Sequence, residues 1–236
     1  MARRRFFVDR LEADRAIING QDAHHLARVL RAEPGQRYEI TDGTALYLAE
    51  IEAADPRQVT FRILEPLDAG PPLPPLIIVA SLFKFDRFEW MIEKLTELGV
   101  KTIHPVESAR TDEGLFKAAV KRVDRWRKIA KESSQQSRRI QVPEIKDATR
   151  LAEALKTPAA IKLRLEENPP ANPLRKKAEP WNRTEDLALA LGPEGGWTDA
   201  ERSAMDKLNW TAVTLGPTIL RAETAAIAAV AAIQIP

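Results

Sequence analysis

An α/β protein in two parts is what this sequence predicts: a small, mostly β module of barrel type over residues 1–70, then an α/β domain with a mainly parallel sheet over 71–236. Three observations carry the expectation. Gly70-Pro71-Pro72-Leu73-Pro74-Pro75 can continue neither a ladder nor a helix and favours a stiff extended connector. Before it, short runs rich in β-formers alternate with turn signals. After it, continuous apolar runs alternate with stretches of helical periodicity, the pattern of strands joined by crossover helices.

In the first part Asp22 is placed to cap a helix carrying Ala23, Leu26, Ala27 and Leu30 at helical spacing. Glu33-Pro34-Gly35 then turns the chain. Residues 38–40, 46–51 and 59–63 read as strands, divided by Asp42-Gly43 and Asp55-Pro56-Arg57. In the second part 76–80 is an unbroken apolar run, typical of a strand buried on both faces. Asp86 with Glu89 marks a helix start, Phe88, Met91, Ile92, Leu95 and Leu98 form its core face, and Gly99 ends it. Residues 100–106 read as a strand, 115–133 as an amphipathic basic helix anchored in the core by Trp126, and 159–165 as another apolar segment. The strand 187–191 runs into Gly192-Pro193-Glu194-Gly195-Gly196, and Thr198 with Glu201 spells a capping box. Residues 211–215 form a strand broken by Gly216-Pro217. The helix 223–234 is rich in Ala, small enough to pack closely on a sheet or a second subunit.

Composition narrows the chemistry. With 44% hydrophobic and 30% charged residues, the chain is globular and not disordered. The absence of Cys excludes disulfide frameworks, thiolate nucleophiles and Cys-based zinc sites, and three His argue against an imidazole metal site, so no metal is expected. Arg3-Arg4-Arg5 is followed by three apolar residues before Asp9, too few for a signal peptide. The apolar stretch 225–233 is about half the ~20 residues of a membrane span. A cytoplasmic protein without membrane attachment is expected. The net charge of +2 hides one uneven stretch: 117–139 holds nine Lys/Arg against two Asp/Glu. Such a stripe is either a polyanion footprint or a solvated helix face, and charge alone does not choose.

Two loops follow apolar strands in the same way: Leu191-Gly192-Pro193-Glu194-Gly195-Gly196 and Leu215-Gly216-Pro217-Thr218-Ile219-Leu220-Arg221. In open α/β sheets ligands bind just beyond the carboxyl ends of strands, and Gly lets a backbone approach them. Paired loops of this kind, flanked by Glu194, Arg221 and Glu223, could present N–H and C=O groups to an adenine and a ribose. Neither is a phosphate cradle, since no Gly-x-x-x-x-Gly-Lys-Ser/Thr or Gly-x-Gly-x-x-Gly occurs. His24-His25 reads more readily as a surface feature of a helix start than as a ligand pair, and His104 before Pro105 as a strand-end residue.

These segments together resemble the bacterial 16S ribosomal RNA (uracil-N3) methyltransferase family, within the SPOUT class of S-adenosylmethionine-dependent enzymes. The likeness runs through Arg5-Phe6-Phe7-Val8, His24–Arg31, Glu93–Val100, Gln135-Gln136-Ser137-Arg138-Arg139 and, most specifically, the two Gly-Pro loops with Ala222-Glu223-Thr224-Ala225. It departs from the family pattern at Gln135, where Glu is common, and at Lys84-Phe85-Asp86-Arg87, where Lys-Gly is common. The resemblance implies a PUA-like β-barrel on the RNA, a SPOUT α/β domain with a trefoil knot, a homodimer, and 16S rRNA or the small ribosomal subunit as partner. It implies S-adenosylmethionine held by Leu191, Gly192, Gly195, Gly196, Leu215, Gly216, Ile219 and Leu220. The expected reaction is methyl transfer to N3 of a uridine, with Arg221 stabilising negative charge on the base and Glu223 or Glu194 accepting the proton. Arg3, Arg4, Arg5, Arg28, Arg31, Arg138 and Arg139 are expected on RNA phosphates. The alternatives are a SPOUT enzyme acting on another base or a ribose 2′-hydroxyl, and a non-catalytic ribosome-assembly factor.

Overall fold

The computed structural model describes residues 5–167 and 172–235, so Arg3 and Arg4 lie outside the described residues. The chain forms two compact units: Met1–Pro72 with Ser134–Val142, and Leu73–Ser133 with Pro143–Pro236. The return of Ser134–Val142 to the first unit is not foreshadowed by a single break at the proline run.

The first unit has β1 (Arg5–Phe7), β2 (Arg10–Leu11), β3 (Arg15–Asn19), α1 (Gly20–His24), β4 (Arg37–Thr41), β5 (Leu46–Ala54) and β6 (Gln58–Leu67). Their sheet order is β1-β4-β5-β6-β3-β2, antiparallel except for the parallel pair β1–β4. The two edge strands are separated in sequence only by Val8 and Asp9. A flat six-stranded sheet would hold its edges roughly 24 Å apart, whereas this link spans at most about 11 Å. The sheet therefore curls into a half-barrel, helped by two irregularities in the β5–β6 pair, where Leu64 is the extra residue on β6 opposite Leu48/Ala49 and Glu52 the extra residue on β5 between Ile51 and Ala53. Ile18, Leu26, Ile40, Ile51, Val59 and Phe61 fill its concave side. The helix expected from Asp22 starts at Gly20, and past α1 it widens into a π-helical turn, His25–Val29, closed by the Leu30 N–H donating to the His25 carbonyl at 2.9 Å. β1 and β3 carry no alternation strong enough to announce them.

The second unit contains β7 (Leu76–Ser81), α2 (Phe85–Glu97), β8 (Thr102–Glu107), α3 (Leu115–Ala119), α4 (Val123–Gln136), whose last turn belongs to the first unit, β9 (Glu144–Ile145), β10 (Thr149–Arg150), α5 (Leu151–Ala154) and β11 (Ile161–Leu165). There follow β12 (Asn172–Pro173), α6 (Leu174–Ala178), β13 (Leu187–Leu191), α7 (Asp199–Lys207), β14 (Thr211–Thr214) and α8 (Ala222–Gln234). The sheet order is β10-β8-β7-β13-β11-β14-β12, with β9 also on β8, and every pair is parallel. β7 and β13 are buried along their whole length, as their unbroken apolar runs require. Pro105, which has no N–H to donate, falls where β9 has ended and β10 has not begun.

α2 begins at Phe85 with Lys84 at the cap, so Asp86 lies inside the first turn, where its charge complements the helix dipole. The basic helix expected over 115–133 is two helices: between them the Lys121 and Arg122 N–H groups bond back three residues, to the Ala118 and Ala119 carbonyls. Trp126 is fully buried beside Phe85 and Phe88. The Ala-rich α8 packs on α2 within the same unit, burying Ala226, Ala229 and Val230. No helix among the described residues is long and apolar enough to cross a membrane.

Candidate active site

Because all strands of the second sheet run parallel, their carboxyl ends share one edge, and the loops leaving that edge enclose a cavity of about 530 Å³. Residues 191–197 after β13 and 214–222 after β14 form two walls. The end of β11 (165–167), Lys84 and Arg87 at the start of α2, and Arg110 beyond β8 complete it.

Each loop is shaped by identifiable contacts. A Cβ on Gly192 would lie 3.2 Å from the Trp197 ring, and that buried indole is pinned by its Nε1 donating to the Leu165 carbonyl at 2.9 Å. A Cβ on Gly195 would meet the Arg110 side chain at 3.2 Å, where Arg110 Nη1 donates to the Gly195 carbonyl at 2.5 Å. Gly196 closes a tight turn with φ +69° and its N–H on the Pro193 carbonyl at 2.8 Å. The expected capping box at Thr198 and Glu201 is present, and the other Glu201 oxygen takes the Ala109 N–H at 2.8 Å, tying the loop after β8 to α7. In the second wall Gly216 has φ +141°, with its N–H on Thr214 Oγ1 at 3.2 Å. At both Gly196 and Gly216 a Cβ would meet nothing within 4 Å, so backbone is open to the space around it.

The charged groups converge on Arg87. Its Nη1 donates to Glu194 Oε1 at 3.1 Å, and its Nε lies 3.8 Å from Glu223 Oε1. Glu223, in the first turn of α8, is buried, and its Oε2 makes no hydrogen bond among the described residues. Glu223 does not itself line the cavity, although its neighbours Ala222 and Ala225 do; its buried, open carboxylate oxygen is costly to leave unpaired and keeps it a candidate next to Arg87. Arg221 caps α8 through its backbone and carries its exposed side chain at the cavity. In the wall after β11 the Glu166 side chain receives Arg164 Nε at 3.0 Å and Arg202 Nε at 3.1 Å, fixing that side of the cavity.

Of the residues expected from sequence, Leu191, Gly192, Gly195, Gly196, Leu215, Gly216, Ile219 and Leu220 all line the cavity, as do Glu194 and Arg221. Ile219 is 74% exposed, unusual for an apolar side chain. Arg28, Arg31 and Arg138 are exposed. Arg5 and Arg139 are buried, Arg5 against Glu39, and burial pushes the Arg139 guanidinium down to about 10; neither offers a surface charge to a phosphate. Part of the basic stretch is paired: Arg122 and Arg125 share Glu89, and Arg127 bridges Asp124 and Asp147. His104 is a buried strand residue, its Nε2 paired with Thr149 Oγ1 at 2.8 Å, and His24 and His25 are exposed on α1 and the turn after it. Arg87, Arg110 and Glu166 were not singled out by sequence. The partners of Arg87 and Arg110 are 107 and 85 residues away, and Glu166, besides the nearby Arg164, is held by Arg202 36 residues on, so no local pattern marks their place at the cavity.

A family model described as RNA methyltransferase domain matches residues 71–234, and one described as RNA methyltransferase PUA domain matches 18–64. The chain is 31% identical over 232 residues to ribosomal RNA small subunit methyltransferase E of Bacillus subtilis, covering 94% of this chain and 91% of that one. The chain belongs to this RNA methyltransferase family. A second member, from Mycobacterium tuberculosis, is 32% identical, with 98% and 90% covered. The crystal structure of ribosomal RNA small subunit methyltransferase E from Neisseria gonorrhoeae bound to S-adenosyl methionine superposes with a TM-score of 0.86 at 30% identity, covering 99% of this chain and 97% of that one. The half-barrel and the all-parallel sheet are thus the PUA and SPOUT parts of an RNA methyltransferase, and every cavity-lining residue falls inside the methyltransferase segment.

Proposed function

We propose that this protein uses S-adenosylmethionine to methylate N3 of a uridine in 16S ribosomal RNA of the small subunit. The observation that carries the reading is the cavity framed by the two Gly-Pro loops, with Arg87 in its lining paired to Glu194 and facing the buried Glu223 at 3.8 Å. The residues present suit the cofactor. Leu191, Leu215 and Leu220 offer apolar surface for an adenine, and the missing Cβ at Gly196 and Gly216 leaves space beside the loops, whose N–H groups at these two positions are used within the turns. When bound, the cofactor supplies an electrophilic methyl group on sulfonium.

The protein's own part is to hold the base and manage its proton. N3 of uridine carries a proton and sits on the pairing edge, so the base must be unpaired and displayed to the site. Glu223 Oε2 is the proton acceptor in this reading, and Arg87 holds the other carboxylate oxygen. Glu194 is the weaker choice, since it is half exposed and already bonded to Arg87. Arg221 stands at the rim to balance the negative charge that develops on the base oxygens. Arg28, Arg31 and Arg138 position the RNA through phosphates. The same reading takes the protein as a cytoplasmic homodimer, and light scattering should return about twice 26.4 kDa; a monomer at working concentration would remove the dimer.

The test is incubation with small ribosomal subunits or their RNA and methyl-labelled S-adenosylmethionine, followed by mass mapping. Label on N3 of one uridine is expected. Label on a ribose or another base would overturn the assigned position, and cofactor binding without transfer would favour a non-catalytic assembly role. Arg221→Ala should lower methyl transfer; if both transfer and cofactor affinity stayed at wild type, Arg221 would lose its role.

A further inference from the structure

Resting on the reading of Arg138 as an RNA contact, we infer that Glu39 is a positioning residue for RNA binding: a buried carboxylate that holds the Arg138 guanidinium at the surface through a clasp with Arg5. The parallel register of β1 and β4 sets Arg5 directly opposite Glu39. Glu39 Oε2 receives Arg5 Nε at 3.1 Å and Nη2 at 2.8 Å, and its Oε1 receives Arg138 Nη2. The remaining Arg5 nitrogen, Nη1, donates to the Arg138 carbonyl. One carboxylate thus holds both the side chain and, through Arg5, the backbone of Arg138.

The segment needs such a hold. Arg138 has φ +57°, a conformation that a residue with a side chain rarely takes unless its surroundings impose it. Thr41 Oγ1 adds a weaker bond to the Ile140 carbonyl at 3.4 Å. The charges of the clasp are unevenly displayed: the Arg5 and Glu39 side chains are 9% and 10% exposed, that of Arg138 46%. Two guanidiniums and one carboxylate leave one positive charge, and it faces solvent on Arg138. Arginine loses much rotamer freedom when it binds, so a guanidinium already held loses less on meeting a phosphate.

This assignment reverses the sign expected from charge alone, by which removing an acid from an RNA-binding surface tightens the complex. Binding of a 16S ribosomal RNA transcript is measured across a salt series for wild type, Arg138→Ala, Glu39→Gln and the double variant, with thermal unfolding alongside. Arg138→Ala should weaken binding about three- to tenfold and make the salt slope shallower by about 1. Glu39→Gln should also weaken binding, and the double variant should bind no worse than Arg138→Ala. Glu39→Gln binding as tightly as wild type, or more so, while Arg138→Ala weakens it, overturns the positioning role. Wild-type binding by Arg138→Ala overturns the RNA reading of the segment instead. If Glu39→Gln unfolds, Glu39→Asp replaces it: the charge is kept and the clasp shortened, so weaker binding is expected and wild-type affinity refutes the role.

Discussion

At the scale of single residues, the site depends on what lies beneath its glycines. Gly192 is small because the Trp197 indole lies under it, and that ring cannot step aside while it is buried and bonded to the Leu165 carbonyl. Gly192→Ala should therefore displace the loop by a few tenths of an ångström. Its cofactor affinity, measured by calorimetry, should fall by about tenfold or more with the fold retained; unaltered affinity would show that this loop does not touch the cofactor. Glu223→Gln tests the other side of the site. It keeps the shape and removes the proton acceptor, so methyl transfer should fall by about 10²–10⁴-fold while cofactor binding holds. Equal activity would return the role to Glu194 or to solvent. Arg87→Ala should lower transfer through Glu223, leaving a buried carboxylate without its nearest cation.

At the scale of elements, legibility follows the range of the interactions. The strands 76–81 and 187–191 were readable because burial on both faces demands unbroken apolar sequence, and the capping box at Thr198 because its two partners are three residues apart. Both Gly-Pro loops were readable for the same local reason. What escaped depends on distant partners. β1 exists through its pairing with β4, and Ser134–Val142 joins the first unit through Glu39, 99 residues from Arg138. Charge alone leaves the basic stretch open between a polyanion footprint and a solvated face because Glu89 and Asp147, which pair three of its arginines, lie outside it in sequence. Arg87 stayed unread because Glu194 and Glu223 meet it only once the strands are parallel. The local cap gives a clean test. Thr198→Ala should cost about 1 kcal/mol, lowering the unfolding midpoint by roughly 2–4 °C in a chain of this size. Since Glu201 also ties α7 to the Ala109 N–H, Glu201→Ala should cost more.

At the scale of the whole molecule, charge burial sets the response to acid. Desolvation first, and then the Lys146 charge, push the His104 imidazole below its ordinary value near 6.5, with Glu144 and Glu153 opposing them. Its Nε2 meets Thr149, while Nδ1 is buried without a hydrogen bond among the described residues. The folded protein therefore binds this proton less readily than the unfolded chain. The resulting stability is fully present above 6.5 and is lost as pH falls from there through the lower folded value. A second loss comes further down. Hydrogen bonds from Arg125 hold the Glu89 carboxyl below its usual range, and the Ala45 N–H does the same for Asp42. Their contributions are present at neutral pH and disappear as pH drops through those lowered values. Urea midpoints measured from pH 8 to 2 should thus decline in two stages, the first beginning near 6.5 and the second below about 4.5. In His104→Gln the first stage should vanish, leaving a flat profile until the carboxylates titrate, whatever the variant's absolute stability. A slope between pH 6.5 and 5 as steep as wild type would mean that another group binds the proton on unfolding, and His104 would lose its place in the acid response.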